Sequence, residues 1–305
     1  MRFGISAAGF GDLGKLVERA RWAEAAGFST FSVSDHLNAP SPFVTLQAIA
    51  DATSQIRLGT LVVNNDLRHP AVLAQDVATI DRLSGGRLEL GIGAGWALAE
   101  YRRAGITYDP PATRVERLRE TVVALRALFT GEPVSTDGPH VRLRDHVVVP
   151  APTQGRLPLL IGGNGDRLLA LAAEHADIVS FTGFSPDREG ANVRTHFSRP
   201  GLADRVAHVR GHAGDRASVP ELHVLLQRLE VTDDREYFAH AMAQRQNQSL
   251  IEVLTCPFMA FGTVEEICGQ LLRLQSDFGI GYVTVFNQHA DAAAAVMAAL
   301  PDFDD

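Results

Sequence analysis

Two short stretches carry residue types able to do chemistry. In VSDHL, Asp35 and His36 close an apolar run. A histidine at a strand end can exchange a proton near neutral pH, and the carboxyl ends of barrel strands are where reacting groups project. The following NAPSP, residues 38–42, cannot continue a strand and so keeps His36 at a mouth. In LLIGGNGDRLLALAAEHADIV, residues 159–179, an apolar run meets Gly162, Gly163, Asn164 and Gly165 before a helical pattern starts at Asp166. Glycines let backbone N–H groups close on an anion, and a helix start offers unpaired donors and the positive end of a dipole, which suits a phosphate. Each feature has a plainer reading. One histidine among 11 is more often a cap or surface residue, and a glycine pair is as often a simple tight turn. A dinucleotide fingerprint is excluded, because its third glycine would fall on Leu168.

Two further stretches frame these. RLGTLVVNNDLRHP, residues 57–70, is a buried strand running into Asn64, Asn65 and Asp66. In GRLELGIGAGW, residues 86–96, Gly91, Gly93 and Gly95 strip one side of a strand, so that a flat molecule or another backbone can come close; close helix packing is the plainer alternative. Trp96 then reads as a wall for a planar ligand or as rim packing.

Elements must hold these residues in place. Period and punctuation give eight short strands, RFGISA, TFSVSD, IRLGTLVVN, RLELGIGAG, PLLIGG, DIVSFTG, ELHVLLQRLEV and YVTVFN. Helical patterns lie between them, several closed by glycine, as in LGKLVERARWAEAAG and VEEICGQLLRLQSDFG. That alternation predicts an α/β chain, a (β/α)8 TIM barrel with insertions forming one domain over 1–305, with a doubly wound open sheet as the rival. Residues 132–153 read as a hairpin insertion, and 184–198 and 233–260 as irregular. Pocket residues are expected from the loops at 38–42, 96–110 and 184–200.

Composition narrows the classes. Cys256 and Cys268 form no CxxC pair, so neither a disulfide framework nor a metal site is expected. The net charge is -8 and the arginines are scattered, which speaks against a nucleic-acid partner. Without a signal-peptide core or a run of 18 apolar residues, neither export nor a membrane partner is expected, and the cytoplasm is the expected location. The chain has 27 arginines and one lysine, Lys15, a bias pointing to a G+C-rich genome.

Taken in order, these stretches resemble the bacterial luciferase-like superfamily, and within it the branch of deazaflavin (coenzyme F420)-dependent oxidoreductases. The resemblance runs through WAEAAGFSTFSVSDHL, the whole of 56–106, RVERLRETVVALRALFTGEPV, PLLIGGNGDRLLALAAEHADIV and the FGTVEEICGQLLRL and FGIGYVTVF segments, leaving roughly 184–250 unmatched. It implies a homodimeric (β/α)8 barrel binding F420 or FMN at the strand carboxyl mouth. Its cofactor phosphate would sit at Gly162, Gly163, Asn164 and Gly165. A cis peptide pressing on the ring would fall at Leu61 and Val62, and His36 would lie near the reactive carbon, with Asp35, Asn64, Gly95 and Trp96 around the cofactor. The dehydrogenases of this branch carry a tryptophan just after the histidine and a glutamate where Trp96 stands. Here Pro40 and Trp96 occupy those places, which implies an incomplete acid–base set and points away from alcohol oxidation, toward reduction of a C=C or C=N bond in a small organic substrate. Arg156, Arg167 and Arg194 are candidates for the anionic tail of F420. The alternatives are an FMN-dependent monooxygenase fed by a flavin reductase partner, and a non-catalytic flavin- or deazaflavin-binding protein.

Overall fold

In the computed structural model, residues 1–7, 12–186, 193–195, 197–214, 216 and 218–301 are described, with backbone alone at 185, 186, 193–195 and 246. Eight strands pair in parallel: β1 (Arg2–Ser6), β2 (Thr30–Val33), β3 (Arg57–Thr60), β4 (Leu88–Gly93), β5 (Leu159–Gly163), β6 (Ile178–Phe181), β7 (Glu221–Leu226) and β8 (Ile280–Phe286). Each pairs with the next and β8 pairs back with β1, from Arg2 opposite Tyr282 to Ser6 opposite Phe286, which closes the barrel. These are the eight segments expected from the sequence, and closure removes the open-sheet rival.

The helices α1 (Leu13–Ala25), α2 (Pro42–Ala52), α3 (Pro70–Leu83), α4 (Pro111–Leu128), α5 (Asp166–His175), α6 (Arg199–His212), α7 (Val264–Phe278) and α8 (Ala290–Ala299) accompany the strands. Helix α7 shows how local residues set an element. Thr263 and Glu266 form a reciprocal capping box, and Gly279 ends the helix in the left-handed conformation. Between them Ile267, Leu271, Leu274 and Phe278 lie buried at helical spacing.

Alternation along each strand divides the interior in two. Leu222, Val224 and Leu226 of β7 belong to the main apolar core with buried residues of the helices, whereas Leu160, Ile178 and Tyr282 form a separate small cluster with Leu61 and Val62. Beside that cluster is a polar layer. His223, fully buried, sits with Nδ1 2.7 Å from Ser180 Oγ and Nε2 2.8 Å from Thr284 Oγ1. Burial, with a smaller push from the Arg2 charge, drives its pKa down to about 3. An unfolded histidine protonates near pH 6.5, so between there and about 3 the unfolded chain holds the extra proton and stability falls as pH falls. His223→Gln is therefore expected to flatten the stability-versus-pH slope between pH 6.5 and 5 by about 1 kcal/mol per unit on average, read from urea melts. Identical slopes for variant and wild type would show that the ring does not stay neutral.

The segments expected to be insertions are partly regular. Val134–Asp137 and Arg142–His146 form the antiparallel hairpin expected over 132–153. Phe184–Pro186 pairs antiparallel with Val193–Thr195; residues 187–192 and 196 of the stretch expected to be irregular lie outside the described residues. The expectation for 233–260 is corrected. Helices Arg235–Gln246 and Leu250–Leu254 occupy it, and Met259–Gly262 pairs in parallel with Arg228–Val231. The run expected as one strand, ELHVLLQRLEV, thus serves two sheets, leaving the barrel at Gln227.

Candidate active site

Strand β3 does not run straight to the mouth. After Thr60 the chain turns through a cis Leu61–Val62 peptide, at the place the resemblance implied, and resumes pairing at Val63 and Asn64, opposite Ile92 and Gly93 of β4. The glycine stripe on β4 exists to receive this bulge. A Cβ at Gly91 would lie 1.9 Å from the Thr60 carbonyl oxygen, and one at Gly93 would lie 2.9 Å from Val62 Cγ2. The Thr60 hydroxyl replaces the interrupted ladder by donating to the Gly91 carbonyl (2.7 Å) and accepting from the Gly91 N–H (2.8 Å). At Gly91 another backbone is what approaches, whereas at Gly93 and Gly95 the nearest atoms belong to the Val62, Tyr101 and Asn64 side chains.

Above the bulge lies a cavity of about 410 Å³ at the carboxyl ends of the strands. Asp35, His36, Leu61, Val62, Asn64, Gly95, Trp96, Gly162, Gly163, Asn164 and Gly165 all line it. They do not all offer side chains to an occupant. The Asp35 carboxylate accepts from the Arg68 guanidinium and from the Asn64 N–H at 3.0 Å, bracing the end of β2 against the segment after β3. Asn64 Oδ1 accepts from the Asp66 N–H (3.1 Å) and lies 2.9 Å from the Tyr101 hydroxyl. Gly95 has no room for more than a hydrogen, since a Cβ there would lie 2.0 Å from that hydroxyl. The loop at 38–42 contributes nothing to the described lining, while 96–110 contributes Trp96, Ala97 and Glu100, and 184–200 contributes Phe184.

One wall is built for an anion. Helix α5 starts at Asp166 behind Gly165, which gives it no side-chain cap. Asn164 is 2% exposed, and both its amide nitrogen and its oxygen lack a partner among the described residues. An unpaired buried amide is costly, so this arrangement fits a polar ligand. Arg114 of α4, also 2% exposed, lines the cavity and is not evident from the sequence pattern. Its Nη1 donates to the Ala94 carbonyl at 3.0 Å and to that of Gly95, its Nε donates to the Asp109 carbonyl at 2.9 Å, and no ion pair to it occurs among the described residues. Its guanidinium also lies over the Tyr108 ring, 4.2 Å from the centroid, so carbonyls and an aromatic face surround it and no carboxylate pairs with it among the described residues.

The opposite side holds His36. Its Nδ1 is 2.7 Å from Glu100 Oε1, and the Leu37 N–H donates to Glu100 Oε2 at 3.1 Å. Trp96 stands edge-on to the imidazole, with centroids 6.1 Å apart and planes at 88°, and Phe184 meets Trp96 at 5.8 Å. Trp96 leaves the position of the dehydrogenases' glutamate without a carboxylate, and a different one, Glu100, pairs with His36. No sequence motif marked it. A more open groove of about 750 Å³ shares Pro111, Val115, Gly165 and Leu168 with the cavity and continues past Arg167. Of the three candidate tail arginines, Arg156 is committed to Asp177 at 2.8 Å and lies on neither the cavity nor the groove, and the side chain of Arg194 lies outside the described residues. Among the described residues there is no cluster able to hold a metal, and no helix is long and apolar enough to cross a membrane.

Comparison with known proteins agrees with this geometry. A family model described as luciferase-like monooxygenase matches residues 1–279. The chain is 32% identical over 186 residues to a 5,10-methylenetetrahydromethanopterin reductase of Methanolobus tindarius, covering 61% of this chain and 55% of that one. It is 34% identical over 219 residues to an F420-dependent glucose-6-phosphate dehydrogenase of Kineococcus radiotolerans, covering 65% and 63%. These matches span less than two thirds of either relative. A solved structure of the coenzyme F420-dependent tetrahydromethanopterin reductase from Methanopyrus kandleri superposes with a TM-score of 0.77 over 97% of this chain and 96% of that one, at 19% identity. At that identity the likeness shows a shared fold.

Proposed function

Because the chain belongs to the luciferase-like monooxygenase family, we propose that it is a coenzyme F420-dependent oxidoreductase, transferring a hydride between the deazaflavin and a small organic substrate, with reduction of a C=C or C=N bond as the reaction. The observation that carries this reading is the pairing, in one cavity, of the uncapped α5 start and its unpartnered Asn164 with a proton-exchanging histidine, His36. The residues present fit a phosphorylated ring cofactor. Backbone N–H groups at Gly165 and the first turn of α5, the Asn164 amide and the Arg114 charge would hold the phosphate. Leu61 and Val62 would back the ring, and Arg167 stands on the groove that an anionic tail would follow.

When bound, the reduced deazaflavin supplies the hydride. The chain contributes the rest: an apolar floor that excludes water, a wall of Trp96 and Phe184 for a planar substrate, and a proton at His36. Among the described lining residues, Arg114 is the one arginine and there is no lysine, so a substrate bearing its own phosphate would find no second permanent cation. An uncharged substrate suits such walls. A homodimer accompanies this reading on the strength of the family resemblance.

Titration of the purified protein tests it. Coenzyme F420 is expected to bind at least about tenfold more tightly than FMN, a difference of about 1.4 kcal/mol supplied by the tail contacts. Tight FMN binding with none for F420 would replace this reading with the flavin monooxygenase one.

A further inference from the structure

We infer that Glu100 is a positioning residue that dictates which nitrogen of His36 carries the proton, leaving Nε2 as the atom that exchanges a proton with substrate; the inference rests on the proposed hydride-transfer role of the cavity. Glu100 stands on the short helix Leu98–Ala104 and reaches back to the end of β2. Its two oxygens have separate duties. Oε2 takes the Leu37 N–H at 3.1 Å, and Oε1 faces His36 Nδ1 at 2.7 Å. A backbone N–H can only donate and an ionised carboxylate can only accept, so Nδ1 must bear hydrogen. Nε2 then holds a lone pair in the neutral ring or a transferable proton in the imidazolium. The pair is partly shielded, with side chains 32% and 16% exposed, and Trp96 edge-on to the ring limits its rotation.

This supplies the balance that reduction requires. The substrate carbon receives the hydride, the π pair moves to the neighbouring atom, and that atom takes the proton from Nε2. The substrate would gain two electrons and two hydrogens; a bound reduced deazaflavin would supply the hydride and its ring N–H proton would pass to solvent, matching the proton that solvent returns to Nε2. His36 is left as the neutral Nδ1–H form, still held by Glu100, and solvent returns the proton to Nε2. Glu100 thus acts through the imidazole, which supports proton delivery to the atom beside the hydride-receiving carbon of a C=C or C=N bond.

Glu100→Gln provides the test, because it conserves shape while changing the hydrogen-bond logic. The Leu37 N–H still needs an acceptor and takes the single amide oxygen. The amide NH2 then faces Nδ1, which must accept, so the proton moves to Nε2. Ring nitrogen–proton correlations of histidine-labelled, cofactor-free protein at alkaline pH are expected to show at least about tenfold excess of Nδ1–H in the wild type and the reverse excess in Glu100→Gln, the scale of one charge-assisted hydrogen bond. Glu100→Ala, lacking both partners, is expected to show a mixture. Unchanged Nδ1–H in Glu100→Gln, or Nε2–H in the wild type, would overturn the inference. Failure of the wild type to bind F420 would instead overturn the functional reading, whatever the tautomers.

Discussion

Replacing Gly165 by aspartate is expected to leave the fold intact and to weaken F420 binding by about 100-fold or more, about 2.7 kcal/mol. Gly165 has extended backbone angles, φ -77° and ψ 147°, and a Cβ built there meets nothing within 4 Å. Aspartate is a favoured residue at such a position, since its carboxylate accepts from the first-turn N–H groups that glycine leaves open. Those are the groups assigned to the cofactor phosphate, so the variant both occupies them and places a negative charge beside an anion. Charge-assisted hydrogen bonds contribute about 1.5 to 3 kcal/mol each, and losing one or two accounts for the expected effect. Gly165→Asn separates the causes, because it caps without charge and should lose less. Gly163 is a poorer place for this test: a Cβ there would lie 2.0 Å from Leu168 Cδ2, and lost binding could then reflect disturbed packing. Thermal melts establish folding, and F420 titration gives the affinity. Binding within twofold of wild type would remove the phosphate from the α5 terminus.

Gly91→Ala is expected to do the opposite, damaging the fold first and the site as a result. The contact it creates, 1.9 Å from the Thr60 carbonyl, is with backbone that the two Thr60–Gly91 hydrogen bonds pin in place. No rotamer relieves it, so either β4 or the bulge must move. Overpacking of buried sites costs about 1 to 3 kcal/mol when side chains can yield, and a backbone clash belongs at or above the upper end. The expected loss is about 3 kcal/mol, enough to lower the melting temperature by about 5 °C or more. F420 binding is expected to fall with it, as Val62 lines the cavity from the same bulge. Gly281→Ala is the control, a strand glycine of β8 with nothing within 4 Å of a built Cβ, and is expected to melt close to wild type. If both variants melt alike, the account of the β4 glycine stripe is wrong.

The barrel was legible because parallel strands buried on both faces read as short apolar runs, and helices between them carry their own stops, as at Gly27 and Gly279. The cavity's two halves were legible for a related reason. GGNG and DHL sit at strand ends, where topology itself makes a site. What escaped was whatever depends on contact across the fold. Glu100 meets His36 from a helix of 7 residues, too short for periodicity to expose, although the left-handed Gly105 that caps it was a usable sign. Arg114 lies within a helix whose polar residues look solvated, and only the placement of α4 against the Ala94 and Gly95 carbonyls buries it. Arg235–Gln246 passed for irregular chain because its residues are mostly polar, yet Asp234 caps its start by accepting from the Tyr237 N–H at 2.9 Å. The run at 221–231 did not mark its break, because Leu229 and Val231 continue a strand-like alternation past Gln227 and the change of partner there is set by Met259–Gly262, far along the chain.

The edge-on stacking of Trp96 at the cavity mouth also makes the protein its own optical reporter. The chain has two tryptophans. Trp22 lies on α1 beneath the Arg19 guanidinium, 3.7 Å from its ring centre, and takes no part in the cavity lining, whereas Trp96 stands 46% exposed between His36 and Phe184. A ligand entering the mouth must alter the surroundings of one indole and leave the other as an internal standard, so occupancy can be followed by intrinsic emission without a label, even for a substrate that is itself colourless.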